Sequence, residues 1–116
     1  QADLRLVNLC GADLSQADFT GADLRYADLR DANLKGADLS KANLTGANLS
    51  GVNLSHTLLT KATLSRTDLS YTDLRTTSME GVDLRYANLM GAHLPESVLN
   101  LQQVSKRELA MSSGGH

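Results

Sequence analysis

A leucine recurs at every fifth position of this chain. It stands at Leu4 and continues in steps of five to Leu99, interrupted only by Phe19 and Met79. Two residues before each sits a small side chain. This is Ala at 2, 12, 17, 22, 27, 32, 37, 42, 47, 62, 87 and 92, and Val, Thr or Ser elsewhere. Mostly Asp or Asn lies between the two. The unit is Ala-(Asp/Asn)-Leu-x-x, and it runs 20 times without an insertion.

That period excludes both ordinary elements. On an α-helix a step of five turns through about 500°, a net of about 140°, so the leucines would spiral and leave no apolar face. On a flat strand the same step alternates faces, and half the leucines would point at water. A chain that turns one corner per repeat sends every leucine to a common axis. Four corners close a square coil of 20 residues. The expected fold is therefore all-β, a quadrilateral parallel β-helix of about five coils stacked about 4.8 Å apart. The interior of so narrow a square takes four leucines per layer, and its remaining inward position must be small. Gly11, Gly21, Gly36, Gly46, Gly51, Gly81 and Gly91 all fall on the last position of the unit. There a tight corner or a positive φ is expected.

Aromatic residues make up only 3% of the chain and Trp is missing, so the core takes its volume from leucine. No apolar run approaches the roughly 18 residues of a membrane-spanning helix. The formal net charge is −2, which argues against a nucleic-acid binder and against a strongly acidic mimic of one. Cys10 is the single cysteine, so no internal disulfide framework exists. One cysteine leaves the redox compartment open; the expectation is a soluble chain, with the cytoplasm favoured.

The repeated unit resembles the pentapeptide-repeat family, over residues 2 to about 101. The resemblance implies a right-handed four-sided β-helix. It implies no single function, because members do unrelated things. Some resemble duplex DNA and protect or inhibit DNA gyrase. Many are cyanobacterial with no assigned role, and others are attached to larger proteins.

Residues 20 apart should stack in columns. One column gathers Arg5, Arg25 and Arg85, with Tyr26, Arg66 and Tyr86 at the adjoining corner. This is either a basic, aromatic-lined contact strip or simple charge balance against Asp3, Asp23 and Asp83. Asn8, Asp28, Asn48, Asp68 and Asn88 form a second column, expected to make side-chain ladders between coils. On the fourth face the outward positions are Asp18, Asp38, Leu58, Ser78 and Val98. Leu58 and Val98 break the polar rule there and are candidates for a partner-facing patch. Thr57, Thr67, Thr72 and Thr77 take the small inward position, where each hydroxyl needs a backbone acceptor.

Both ends of such a rod expose strand edges. Pro95 ends the regular unit. Asn100 can cap a helix over 101–111 with Gln103 as its capping-box partner, and Ser112 to His116 is expected to be a disordered tail. The domain division is 1–101 for the β-helix and 102–116 for a capping helix and tail. The chain starts at Gln1, not Met, and is read as a processed form or a piece of something longer. The uncovered N-terminal edge leaves room for end-to-end association of copies or attachment to an upstream region.

No catalytic set emerges. His56 and His93 lie about 10 Å apart on the expected coil spacing, too far for one metal. Cys10 is an isolated outward thiol. The aspartates follow the repeat and form no acid–base pair with contrasting environments. No cofactor, metal or membrane is implied, and no enzymatic activity. The expected role is a non-catalytic structural or protein-interaction scaffold of unknown partner. The alternative is a DNA-mimicking, gyrase-interacting protein, though outward Arg5, Arg25, Arg85 and Lys35 weaken the anionic surface that role needs. Ice binding is disfavoured because Thr20, Thr45, Thr60, Thr63 and Thr76 spread over different faces.

Overall fold

The computed structural model describes residues 2–99, the side chain of Leu99 excepted. Its backbone pairs only with itself one coil away. Parallel bridges join Asp3 to Asp23, Asp23 to Asn43, Asn43 to Thr63 and Thr63 to Asp83 on the first face. Asn8, Asp28, Asn48, Asp68 and Asn88 do the same on the second. Asp13, Asn33 and Asn53, then Asp73 and His93, lie on the third; Asp18, Asp38, Leu58 and Ser78 lie on the fourth. Every bridge spans 20 residues, so four five-residue sides close one coil. The two shorter dimensions of the molecule, 23 and 22 Å, are nearly equal, as a square tube requires.

The corners explain the period. In nearly every one, the amide two residues before the next leucine donates to the carbonyl of the last one, as Ala27 N does to Leu24 O at 3.0 Å. Between them one residue takes a positive φ, which makes a type II β-turn. Ten non-glycine residues and seven glycines share this left-handed conformation. An L side chain there costs roughly 1–2 kcal/mol. The chain tolerates this because the same turn drops the next leucine into the core. Leu24 through Leu89 are essentially water-free, as are Ala22 through Ala92 and Val82 beside them. In the first coil Leu4, Val7, Leu9, Leu14 and Phe19 are only partly buried, because no earlier coil covers them.

The Asp or Asn at each outward position holds the corner that follows it. Its Oδ1 accepts the amide two residues on, as in Cys10 N to Asn8 at 3.0 Å and Ser50 N to Asn48 at 3.0 Å. This is an Asx turn, and only a side chain of that length reaches. The expected ladders between coils are not formed by Asn8, Asp28, Asn48, Asp68 and Asn88. Each Oδ1 is already engaged within its own coil, and side-chain links across that face come from the contact of the Ser70 hydroxyl with Ser50 and of the Cys10 thiol with Asp28. The inward threonines find backbone acceptors. Thr57 and Thr67 donate to the Leu34 and Leu44 carbonyls one coil down, and Thr72 and Thr77 to Leu69 and Leu74 in their own coil.

One corner departs from the rule. Thr76 stands where its counterparts have positive φ and does not adopt it. A β-branched side chain is the worst fit for that conformation. The His56 amide consequently bonds to the Thr76 hydroxyl at 3.1 Å, where other corners use a carbonyl one coil on. Next to it, no bridge forms between Asn53 and Asp73 among the described residues.

The C-terminal end also corrects the sequence reading. The twentieth repeat does not join the coil: α1, Glu96–Leu99, is helical. Position 93 is His, so no Asp or Asn side chain supports this corner, and Glu96 does not take the positive φ that the other corners use. Proline is instead well suited to start a helix, and Val98 N donates to Pro95 O at 3.1 Å. The helix and tail expected over 102–116 lie outside the described residues.

Two predictions follow from the corners. Gly11→Ala and Gly46→Ala both impose a side chain on a positive φ, +70° and +72°. A Cβ at Gly11 meets open space, while one at Gly46 lands 2.4 Å from the Tyr26 ring. Urea unfolding should show Gly11→Ala losing about 1 kcal/mol and Gly46→Ala losing more, with the excess vanishing in a Tyr26→Ala background. The second concerns acid. Arg5 donating to Asp3 and Arg75 donating to Asp73 hold both carboxyls at about 2, below the ordinary 3.8. Ser15, Thr20, Arg25, Ser40 and Arg85 lower Asp13, Asp18, Asp23, Asp38 and Asp83 in the same way. Carboxyls that titrate lower folded than unfolded favour the fold above their ordinary range and lose that contribution as pH falls through the lowered values. The thermal midpoint should therefore be flat from neutral pH down to about pH 5 and drop between about pH 4 and 2. A midpoint that rises on acidification would contradict this.

Candidate interaction surface

The corner side chains run along the rod and not away from it. Several corner side chains lean over the corner of the next coil, and glycine often provides the seat. Tyr26 lies over Gly46, Tyr71 over Gly91, Lys61 over Gly81 and Gln16 over Gly36. The Tyr71 hydroxyl reaches Met90 Sδ at 3.5 Å. Where the seat is not glycine, a stack forms: the Arg66 guanidinium sits 5.3 Å from the centre of the Tyr86 ring, within cation–π range.

These corners place the exposed apolar groups. Two edges flank the second face. One carries Leu6, Tyr26, Gly46, Arg66 and Tyr86, and the other Gly11, Asp31, Gly51, Tyr71 and Gly91, with Met90 beside Gly91. Of the six large apolar side chains exposed among the described residues, five border this face: Leu6, Tyr26, Tyr71, Tyr86 and Met90. All three tyrosines of the chain are among them. Between the edges lie the short side chains of Asn8, Asp28, Asn48, Asp68 and Asn88. At the N-terminal end of the first edge, Asp3, Arg5, Leu6, Arg25 and Tyr26 line an open groove of about 550 Å³.

The structure treats the sequence-derived candidates unequally. It brings Arg25, Tyr26, Arg66, Arg85 and Tyr86 to one edge. Arg25 and Arg85, however, each close a two-pronged pair with Asp23 and Asp83, at 2.7 and 2.9 Å for the shorter contacts. Arg5, Arg30 and Arg75 do likewise. The planar guanidinium matches the carboxylate two residues before it, so those arginines are charge-balanced. Among the described residues Arg66 has no carboxylate within ion-pair distance, unlike Arg5, Arg25, Arg30, Arg75 and Arg85. Leu58 is exposed at 40% on the opposite face, isolated from the tyrosines. Val98 is corrected: it lies in α1 and is buried at 1%, so it cannot join Leu58 in an exposed patch. Sequence reasoning missed Leu6, Tyr71 and Met90. The signal was present in the 20-residue columns, but only the corner geometry tells that the last position of the unit points outward along an edge.

Chemistry is sparse at the surface. Asp28 holds the exposed Cys10 thiol above its ordinary value, first through a hydrogen bond, which is the reverse of what a nucleophilic thiolate requires. Among the described residues no three His, Cys, Asp or Glu side chains gather as a metal site. No described helix is long and apolar enough to cross a membrane.

The pentapeptide repeats profile matches in eight copies, over residues 2–40, 37–75 and 58–95. The chain belongs to the pentapeptide repeat family. A pentapeptide repeat protein of the Arabidopsis thaliana thylakoid lumen is similar in structure, with 26% identity and a TM-score of 0.77 over 94% of this chain and 72% of that one. The pentapeptide repeat protein Rfr23 of the cyanobacterium Cyanothece 51142 shares 26% identity, with a TM-score of 0.56 over 82% and 85% of the two chains. QnrB1, a plasmid-mediated fluoroquinolone resistance protein, shares 22% identity over 89% of this chain and 66% of that one, with a TM-score of 0.47. No curated protein sequence matches the chain. Family and neighbours together set the fold as a right-handed quadrilateral β-helix.

Proposed function

We propose that this chain is a non-catalytic protein-interaction scaffold, and that its second face is the binding surface. One observation carries this: five of the six exposed large apolar side chains border a single face of a rod that is otherwise polar. Scattered exposed apolar residues need no explanation, but a set gathered on one face marks an interaction site. Tyr and Arg are the residues most enriched where binding energy concentrates, and Arg66 over Tyr86 supplies both. The glycine seats add to it. A tyrosine lying along the rod has less freedom to lose on binding than one swinging in solvent. A soluble, cytoplasmic setting is part of the same proposal, and the Arabidopsis relative is a protein of the thylakoid lumen.

The alternative is a gyrase-directed mimic of duplex DNA. Five aspartates of the described surface are covered by arginines in two-pronged pairs, which removes much of the anionic field such mimicry needs.

Capture experiments with tagged, purified protein test the proposal. A partner retained by the wild type should be lost by Tyr26→Ala/Tyr86→Ala and by Arg66→Glu, and kept by Leu58→Asp on the far face. Truncating two central aromatics should weaken binding by at least 2 kcal/mol, about thirtyfold in Kd. Equal retention by all four proteins would refute the assignment of the face. In parallel, gyrase supercoiling should be unaffected by tens of micromolar chain. Inhibition there would favour the mimic.

A further inference from the structure

We infer that the occupant of the second face is a second copy of this chain, packed side by side with both rods pointing the same way. This rests on the second face being a binding surface and names what binds there.

The inference comes from how bulk alternates between the two edges. A two-fold axis parallel to the rod sets the Tyr26 edge of one copy against the Tyr71 edge of the other, level by level. In the first coil Leu6, exposed at 76%, meets Gly11. A side chain at Gly11 would touch nothing within 4 Å in its own chain, so the hollow is open. In the second coil the Tyr26 hydroxyl meets the Asp31 carboxylate. In the third both edges carry glycine, Gly46 and Gly51, filled from below by Tyr26 and Asp31. In the fourth the Arg66 guanidinium meets the Tyr71 ring. In the fifth Tyr86 meets Met90, a favourable sulfur–aromatic pair. Each large group faces a small or complementary one, and a two-fold pairing uses both edges at once. Turning the second rod upside down pairs like edges: Leu6 meets Tyr86 and Tyr26 meets Arg66 on one, while Gly11 meets Gly91 and Asp31 meets Tyr71 on the other, so bulk falls on bulk along the first edge and the fit is less even.

The charges agree. Arg25, Arg30 and Arg85 are already balanced within their own copy, so these arginines add little repulsion to the contact. On the two-fold axis each outward residue of the second face meets its own copy. Asp28 is covered by Arg30, leaving Asp68 as the like-charge contact. A side of five residues spans at most about 17 Å, and five coils are about 24 Å tall. The face therefore buries on the order of 400 Å² per copy, below the size of a typical stable interface, so weak association, with dissociation on the order of 100 µM, is expected.

Sedimentation equilibrium from about 5 to 500 µM tests this with three proteins, and oxidative cross-linking with two more. The wild type should fit a monomer–dimer equilibrium. Tyr71→Ser/Tyr86→Ser should weaken it at least tenfold. Asp68→Asn keeps the Oδ1 that accepts the Ser70 amide, and should tighten it several-fold by removing the repulsion on the axis. In a Cys10→Ser background, Asn48→Cys should give a covalent dimer with oxidised glutathione as electron acceptor, and Leu58→Cys should not. A wild type monomeric at every concentration overturns the inference. So does a dimer indifferent to the tyrosine and Asp68 changes, or one cross-linked through Leu58→Cys. If the chain stays monomeric while the tyrosine variants still lose a different captured protein, the binding face stands and only self-association falls.

Discussion

Every feature of this molecule depends on one constraint: a leucine five residues after the last can reach the same axis only if the chain turns between them. The turn has a cost of its own. It needs one left-handed residue per repeat, and most repeats spend an ordinary L residue on it. Three things offset that. The leucine is removed from water completely in the middle coils. The Asp or Asn before it satisfies a corner amide with its own side chain. The straight sides between corners pair with the coils above and below. Where one of these supports is missing, the coil yields. Thr76 refuses the left-handed conformation, and the neighbouring Asn53–Asp73 bridge is not made. After His93 no Asp or Asn supports the next corner, and the coil ends in α1.

The fold was legible in the sequence because the repeat never slips. A single inserted residue would have moved every later leucine by one position, and none occurs from residue 2 to the end of the coil. Less legible was what the outward Asp and Asn do. Spacing placed them on columns and suggested bonds between coils. The bonds instead run two residues along the chain, because Oδ1 is closest to the amide of its own corner. The fate of Val98 was hidden for a different reason. It matches the repeat by position, yet the chain turns helical at Glu96 and buries it there.

The surface shows the same mixture. Arg25 and Arg85 stand in a conspicuous basic column, yet each is consumed by the aspartate two residues before it, so the column carries little net charge. Arg66 escapes this only because its corner position follows Ser65 and no aspartate is within reach. The tyrosines gather on two edges of one face through the same corner geometry that builds the core. A regular rod thus obtains an irregular, sticky side without any loop leaving the coil. Rigid repeat surfaces present binding groups at fixed spacing, and this face spends that rigidity on aromatic side chains held in glycine seats.

The most direct measurement of the central claim is the urea unfolding curve of a chain in which residues 42–61, one full coil, are duplicated in place. If each leucine is held by its place in a 20-residue coil, the longer chain will unfold in one cooperative transition at an equal or higher midpoint, because an inserted coil finds a complete set of neighbours above and below. A duplicated chain that fails to fold, or that unfolds at a markedly lower midpoint, would contradict the account.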